Sequence, residues 1–290
     1  MMEPVLVVHG GAGNRPYFIE EKKDGISNAL EAGYVILKSG GSALDAVVKA
    51  VVVMEDDPHF NAGYGSVCGI DGQIEMDASV MTSDGRFGAV AAIKNVKNPV
   101  LIARKVMEET EHHLIVGENA TRFARVMGFG SFNPLTPEQE KRYREYKSPS
   151  YYSKVDEFRK LYGLGTVGAI AIDKNGDMAV AASTGGLFMH LPGRVGDTPI
   201  IGAGIYANAL GAVTFTGFGE RIMKNLLGKV VVEMLKDFEP YEAVRRLIQQ
   251  YDFPFGVILI DKKGRTAIAH SSRYMAWGTI SRKGKQVEIE

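Results

Sequence analysis

One stretch restricts the fold of this chain more than any other. Thr166-Val167-Gly168-Ala169-Ile170-Ala171-Ile172 runs through Asp173-Lys174-Asn175-Gly176-Asp177 into Met178-Ala179-Val180-Ala181-Ala182-Ser183-Thr184. Two β-rich runs around a turn rich in Asp, Asn and Gly form a hairpin. A two-residue loop would pair Lys174 with Asp177, whereas a three-residue loop with Gly176 in the left-handed region pairs Asp173 with Asp177; the second is adopted here. It sets Ile172 opposite Met178 and Ile170 opposite Val180 on one face, and puts Val167, Ala169 and Ala171 with Ala179 and Ala181 on the other. Apolar side chains on both faces require a sheet covered on both sides. The same register places Thr166 directly across from Thr184, with Cβ atoms about 4.5 to 5.5 Å apart.

The rest of the chain supplies material for such layers. Val5 to Val8 is a short strand that runs into His9-Gly10-Gly11-Ala12-Gly13, read as a glycine turn. Ile26, Leu30, Gly33 and Leu37 recur at helical spacing between about Ile19 and Lys38, and Gly40-Gly41 closes that helix. Ser42 with Asp45 is an N-cap pattern for a second helix, whose Ala46 to Met54 is apolar on nearly every side. Ser66 to Ile93 reads as a meander of antiparallel strands around Asp71-Gly72 and Asp84-Gly85, followed by helical patterns from Pro99 to Met127. Further on, strands are expected at Thr198 to Ile205, Gly211 to Thr216, Val257 to Asp261 and Thr266 to His270. Helices are expected at Glu220 to Asp237 and Pro240 to Gln250, and a short strand pair closes the chain. Helices outside two facing sheets is the simplest arrangement of these parts, an α+β fold.

Residues 131–165 stand apart. Pro134, Pro137 and Pro149, many charges, and tyrosines in place of aliphatic residues make a poor core contributor. We read it as an exposed linker with one loose helix around Glu138 to Tyr146. A loop of that length in a single domain is usually functional or disordered.

Composition narrows the partners. The 290 residues are 45% apolar and 23% charged, as in a soluble globular protein. Thirty-four basic residues balance thirty-four acidic ones, so no nucleic acid or anionic membrane is expected as a partner, and a small molecule is. The single cysteine, Cys68, cannot close an internal disulfide, and the opening Met1-Met2-Glu3-Pro4 is no signal peptide; a cytoplasmic setting is expected.

Several motif readings fail. Taking Gly11 and Gly13 as the start of a dinucleotide fingerprint puts Pro16 at the third glycine, and no phosphate loop, serine elbow or His-Glu-x-x-His occurs. The adjacent His112 and His113, read on a helical stretch, would point about 100° apart and could not share an ion.

The segments Gly163-Leu164-Gly165-Thr166-Val167-Gly168, Ser183-Thr184-Gly185-Gly186, Pro192-Gly193-Arg194-Val195-Gly196-Asp197 and Thr216-Gly217-Phe218-Gly219-Glu220 belong together. With His9-Gly10-Gly11-Ala12-Gly13, Asn61-Ala62-Gly63 and Met76-Asp77-Ala78, this combination resembles the plant-type asparaginase and isoaspartyl aminopeptidase family. These are N-terminal nucleophile hydrolases, similar also to glycosylasparaginases. The resemblance spans nearly the whole chain and is weakest in the linker. It implies a four-layer αββα sandwich, one domain self-cleaved between Gly165 and Thr166 into fragments 1–165 and 166–290, and pairing of two processed units as a homodimer. The implied substrates are L-asparagine and β-aspartyl dipeptides, with no redox cofactor or catalytic metal. Glu55 to Ser66 resembles the family's loop that binds sodium through backbone oxygens.

Physical chemistry gives each residue a role beside a plainer alternative. Freed at its amino end, Thr166 would own an α-amine of pKa about 7.7 to 8.0, so nucleophile and base become one residue; alone it would be an ordinary strand opener. Thr184 can hydrogen-bond that hydroxyl, or be a simple cross-strand threonine pair. Arg194 and Asp197 suit the α-carboxylate and α-ammonium of an amino acid, the arginine through two parallel N–H bonds; otherwise they are a surface ion pair with each other. Thr216 and Gly217 offer a hydroxyl and an N–H to an oxyanion, or form a cap and turn. Phe188-Met189-His190, Phe218 and Tyr206-Ala207-Asn208 depart from the pattern of relatives and bear on leaving-group preference. Two rivals stay open: a glycosylasparaginase-like amidase, and an unprocessed binding module that keeps the amino-acid clamp without catalysis.

Overall fold

The computed structural model describes residues 2–14, 18–147 and 165–290. Residues 148–164, the second part of the linker, and Pro16 lie outside the described residues. In chain order the first part carries β1 (Val5–Gly13), α1 (Ile19–Lys38), α2 (Ala43–Asp56), β2 (Met76–Thr82), β3 (Phe87–Ile93), α3 (Pro99–Glu109), β4 (Leu114–Val116), α4 (Gly117–Val126) and α5 (Pro137–Tyr146). The second carries β5 (Thr166–Ile172), β6 (Met178–Thr184), β7 (Ile205–Asn208), β8 (Gly211–Gly217), α6 (Gly219–Asn225), α7 (Leu227–Glu233) and α8 (Pro240–Gln250). It ends with β9 (Phe255–Asp261), β10 (Thr266–His270), β11 (Tyr274–Ser281) and β12 (Gly284–Ile289).

The β5–β6 hairpin has the expected register, Thr166 opposite Thr184 through Ile172 opposite Met178. Its turn closes with Asp173 N–H donating to Asp177 O and Gly176 N–H to Asp173 O, both at 3.0 Å, with Gly176 at φ 90°. The Asp173 carboxylate also accepts the Ala43 N–H at 3.1 Å, at the start of α2, where the free amides and the helix dipole favour a negative charge. The other end of the hairpin carries the Thr166–Thr184 pair.

Eight strands form a sheet in the order β12-β11-β1-β5-β6-β2-β3-β4, and β10-β9-β8-β7 form a second. Alternate residues of the hairpin enter different cores, as the register requires. Val167, Ala169, Ala171, Ala179 and Ala181 pack with Ile26 and Leu30 of α1, Val47 and Val51 of α2, and Ile102 of α3. Ile170, Ile172, Met178 and Val180 pack instead against Ile205, Ala212, Ile258 and Ile260 of the smaller sheet. The far face of that sheet, with Val213, Phe215, Val257 and Leu259, is covered by Ile222, Val231 and Leu247 from α6, α7 and α8. Among the described residues no helix is long and apolar enough to cross a membrane.

Several expectations are corrected. The glycine run His9 to Gly13 is not a turn: β1 continues through it, with a bulge between His9 and Ala12 against β11 and Gly11 at φ 104°. Only the Asp84-Gly85 half of the meander forms strands, since residues 66–75 are irregular. Residues 198–204 wind as turns, with Gly204 N–H on the Asp197 carbonyl and Ala203 N–H on that of Ile200, and the strand begins at Ile205. The helix expected from Glu220 to Asp237 is broken at Leu226, φ 48°, because Gly228 and Lys229 donate to the carbonyls of Ala203 and Gly202 instead of continuing the ladder. His112 and His113 precede β4 rather than lying on a helix, and His113 Nδ1 sits 3.2 Å from Phe87 O. Helix α5 forms where the loose helix was expected, capped by the Thr136 hydroxyl.

Candidate active site

At one end of the space between the sheets, the inward side chains change from apolar to polar. Thr166, Thr184 and Asp77 lie in one row across β5, β6 and β2. His9 stands opposite Gly168, and its Nε2 is 3.3 Å from Thr214 Oγ1 on the smaller sheet. Gly168 makes that approach available, because a Cβ there would stand 2.3 Å from His9 Nε2. Burial pushes the His9 imidazole down to about 3, against a smaller upward pull from the Thr166 backbone, so the ring is neutral at physiological pH.

The row is hydrogen-bonded in a definite direction. Thr166 Oγ1 donates to Thr184 Oγ1 at 3.3 Å, and Thr184 Oγ1 donates to the Gly165 carbonyl at 3.3 Å while accepting the Gly186 N–H at 3.0 Å. One hydroxyl thus bridges residue 166 and the carbonyl that precedes it. Asn61 holds the turn beyond Thr184: its amide donates to Gly186 O at 2.8 Å and accepts Val67 N–H at 3.0 Å, and its own carbonyl accepts Gly185 N–H. A Cβ on Gly165 would lie 3.0 Å from Asn61 Cβ. In the sequence Asn61 stood out only as part of an Asn-Ala-Gly motif.

Arg194 and Asp197 do not pair with each other. Arg194 donates from Nε and Nη2 to Glu220 Oε1 at 3.1 and 3.0 Å. Asp197 is buried, and its Oδ2 has no hydrogen-bond partner among the described residues. Burial pushes its carboxyl up to about 7; Arg194 pulls the other way, while Glu220 and Asp77 add to the rise. Both side chains flank Gly219 at the start of α6, where a Cβ would stand 2.6 Å from Asp197 Oδ1 and 3.2 Å from Arg194 Nη2. On its other side the guanidinium reaches the turn after Thr184, with Nη1 3.4 Å from the position a Gly186 Cβ would take. Arg194 therefore lies beside Gly186, whose N–H donates to Thr184 Oγ1. The sequence contained Glu220 in its motif but gave no sign of its pairing.

Thr216 is fully buried and accepts the Ala12 N–H at 3.2 Å; none of the described hydrogen bonds uses its own hydrogen. Gly217 follows at φ 144°, and a Cβ there would meet Phe255 Cα at 2.6 Å, so glycine is required where β8 passes β9. Of the departures noted above, Phe188 and Met189 pack away with Val67 beneath α5, Phe188 under the Arg142 guanidinium at 4.2 Å from its ring centre. His190 instead approaches Gly186, the neighbour of Arg194.

In 55–66, the carbonyls of Glu55, Pro58 and Phe60, with that of Lys97, crowd Gly63 and Gly65, coming within 2.8 Å of where a Cβ would be. Backbone carbonyls are the kind of donor a hard cation takes. Glu55 O is already engaged by Tyr64 N–H at 2.7 Å. The Glu55 carboxyl is buried and pushed up to about 8 by desolvation, against downward pulls that include the Val100 N–H it accepts.

The sequence model of the asparaginase family matches residues 2–289. The chain belongs to that family. A plant-type L-asparaginase of Pyrococcus abyssi is 42% identical over 290 aligned positions, covering 94% of each chain. An isoaspartyl peptidase/L-asparaginase of Danio rerio is 43% identical over 301 positions, covering 98% of this chain and 94% of its own. A plant-type L-asparaginase of Pyrococcus furiosus is 41% identical and covers 98% of both. In this asparaginase-family chain the match runs through the Thr166 row, the Arg194 loop and Thr216 alike.

Proposed function

We propose that this protein is an autoprocessing threonine amidohydrolase that cleaves the side-chain amide of L-asparagine and the isopeptide bond of β-aspartyl dipeptides, releasing L-aspartate. The relatives named L-asparaginase and isoaspartyl peptidase support the substrate class. The observation that carries the mechanism is the Thr184 hydroxyl bridging Thr166 Oγ1 and the Gly165 carbonyl.

In maturation, Thr166 Oγ attacks the Gly165 carbonyl carbon while Thr184 donates to its oxygen. The C–N bond breaks, the nitrogen takes the hydroxyl proton, and water opens the resulting ester to leave a Gly165 carboxylate and a free Thr166 amine. In turnover, Arg194 takes the substrate α-carboxylate and Asp197 its α-ammonium; the unpartnered Asp197 Oδ2 suits that role. Thr166 Oγ attacks the side-chain carbonyl, with the Thr166 amine as base. Thr216 and Gly217 receive the oxyanion, the uncommitted Thr216 hydrogen being one donor. Ammonia or an amine leaves, and water hydrolyses the acyl-threonine ester.

The same reading includes a four-layer αββα sandwich of the N-terminal nucleophile hydrolase type, supported by the three successive cores. It also includes a homodimer of processed units, and sodium held by backbone oxygens of 55–66, where the ion would stiffen the loop and take no part in the reaction.

N-terminal sequencing combined with hydrolysis assays tests this. Two fragments are expected, the smaller beginning at Thr166, with ammonia from asparagine and aspartate from β-aspartyl-leucine. A single band after long warm incubation and no hydrolysis would overturn the proposal, and preference for glycosylated asparagine would replace its substrate with that of a glycosylasparaginase.

A further inference from the structure

Three residues at two-residue spacing, Glu75 just before β2 and Asp77 and Ser79 within it, each bind one backbone group of the loop that presents Arg194 and Asp197. Glu75 Oε2 accepts the Gly193 N–H at 2.6 Å, Asp77 Oδ2 accepts the Gly196 N–H at 3.1 Å, and Ser79 Oγ donates to the Thr198 carbonyl. All three side chains are buried. The groups they hold fall on either side of residues 194 and 197, so the loop is pinned before the first, between the two, and after the second. We infer that Glu75, Asp77 and Ser79 form a rail of positioning residues that fixes the reach and spacing of Arg194 and Asp197, and so sets affinity for the amino-acid end of the substrate.

Chemistry favours this over general scaffolding. Carboxylates meet amides and a hydroxyl meets a carbonyl, so every contact is matched donor to acceptor. The rail carboxylates do not themselves engage Arg194, whose partner is Glu220: Glu75 Oε1 is paired with Lys94 Nζ at 3.0 Å, and the two Asp77 oxygens are occupied by Gly196 N–H and by Ala92 N–H at 2.9 Å. Asp77 also stands directly across from Thr184, which is itself across from Thr166. One side chain therefore sets the distance between the proposed nucleophile and the proposed clamp. Hydrogen bonds that hold a binding group in register act on ground-state and transition-state binding together, which appears in KM before kcat.

The inference rests on the proposed function, and its test separates the two. In the full-length protein, Ser79→Ala, Glu75→Gln and Asp77→Asn are compared with wild type for chain cleavage, melting temperature, KM and kcat on asparagine, and calorimetric affinity for L-aspartate. For folded, cleaved variants, KM is expected to rise and aspartate affinity to fall by about tenfold, with kcat within about twofold. Because the rail acts through Arg194, the same substitutions in an Arg194→Lys background are expected to cost less than about twofold more. Unchanged KM in folded Ser79→Ala and Glu75→Gln, or full additivity with Arg194→Lys, would overturn the rail. Should Asp77→Asn not fold, Ser79→Ala, which deletes a single hydroxyl, decides. A wild-type protein that neither hydrolyses asparagine nor binds aspartate would overturn the functional reading itself, and the rail with it.

Discussion

The two ends of the β5–β6 hairpin face the same smaller sheet and differ in chemistry. At the turn end, Ile170, Ile172, Met178 and Val180 meet Ile258 and Ile260 in a dry layer. At the open end, Thr166 and Thr184 stand near His9, Thr214 and Asp77. A few residues along one pair of strands convert core into candidate site. The apolar end holds the strands in register by burial; the polar end inherits that register and aims hydroxyls with it. Function at one end is thus expected to be separable from stability at the other.

The strongest way to sharpen this contrast is Thr166→Ala. Chain cleavage and hydrolysis are both expected to vanish, a loss of at least about 10⁴-fold, while the melting temperature of the uncut protein moves only a few degrees. Retained hydrolysis would remove Thr166 as nucleophile. Next in size, Ile170→Ala at the dry end is expected to cost about 2 to 5 kcal/mol of stability, read by urea unfolding in the single-chain Thr166→Ala background. A loss near zero would mean that this layer is loosely packed.

Asp197 gives the smallest and most diagnostic effect. Its carboxyl lies at about 7 in the fold against an ordinary 3.8. Between those values the folded chain holds a proton that the unfolded chain has released, so stability falls as pH rises through the window and the cost is complete above it. Asp197→Asn in the same single-chain background is expected to gain roughly 1 to 3 kcal/mol at about pH 8 and almost nothing near pH 3.5, where the folded carboxyl is protonated and the unfolded one mostly so. In the cleavable protein it should also lose amino-acid binding. An equal change at the two pH values would show that the carboxylate carries no such cost. His9 opposes this trend in acid: with its folded pKa depressed to about 3, its contribution is lost as pH falls below about 6.5.

The hairpin was legible because its facts are local: two apolar faces, a turn of Asp, Asn and Gly, and a count that admits one preferred register. Helices α1, α2 and α8 were legible for similar reasons of periodicity and caps. The break at Leu226 was not, since it depends on Gly202 and Ala203 offering carbonyls from another part of the chain. Nor was the continuation of β1 through its glycines, where Ala12 and Gly13 pair with Met275 and Tyr274 of β11. In the site, the motif residues could be named from the sequence, but not what holds them. Asp77 reaches Gly196 across 119 positions and Glu75 reaches Gly193 across 118, and nothing in the spacing of either motif announces the other. Glu220 was visible beside Thr216-Gly217, yet the one ion pair weighed for Arg194 was the plainer alternative, with Asp197. Burial of Asp197 without a hydrogen bond at Oδ2 could be read only in three dimensions.

The supports beneath the 193–198 loop grip amide and carbonyl groups, which every residue type except proline supplies in full. Side chains at 194 and 197 can therefore be exchanged while the platform under them stays intact. A lineage, or an engineer, could retool what this enzyme recognises without first rebuilding the ground on which recognition stands.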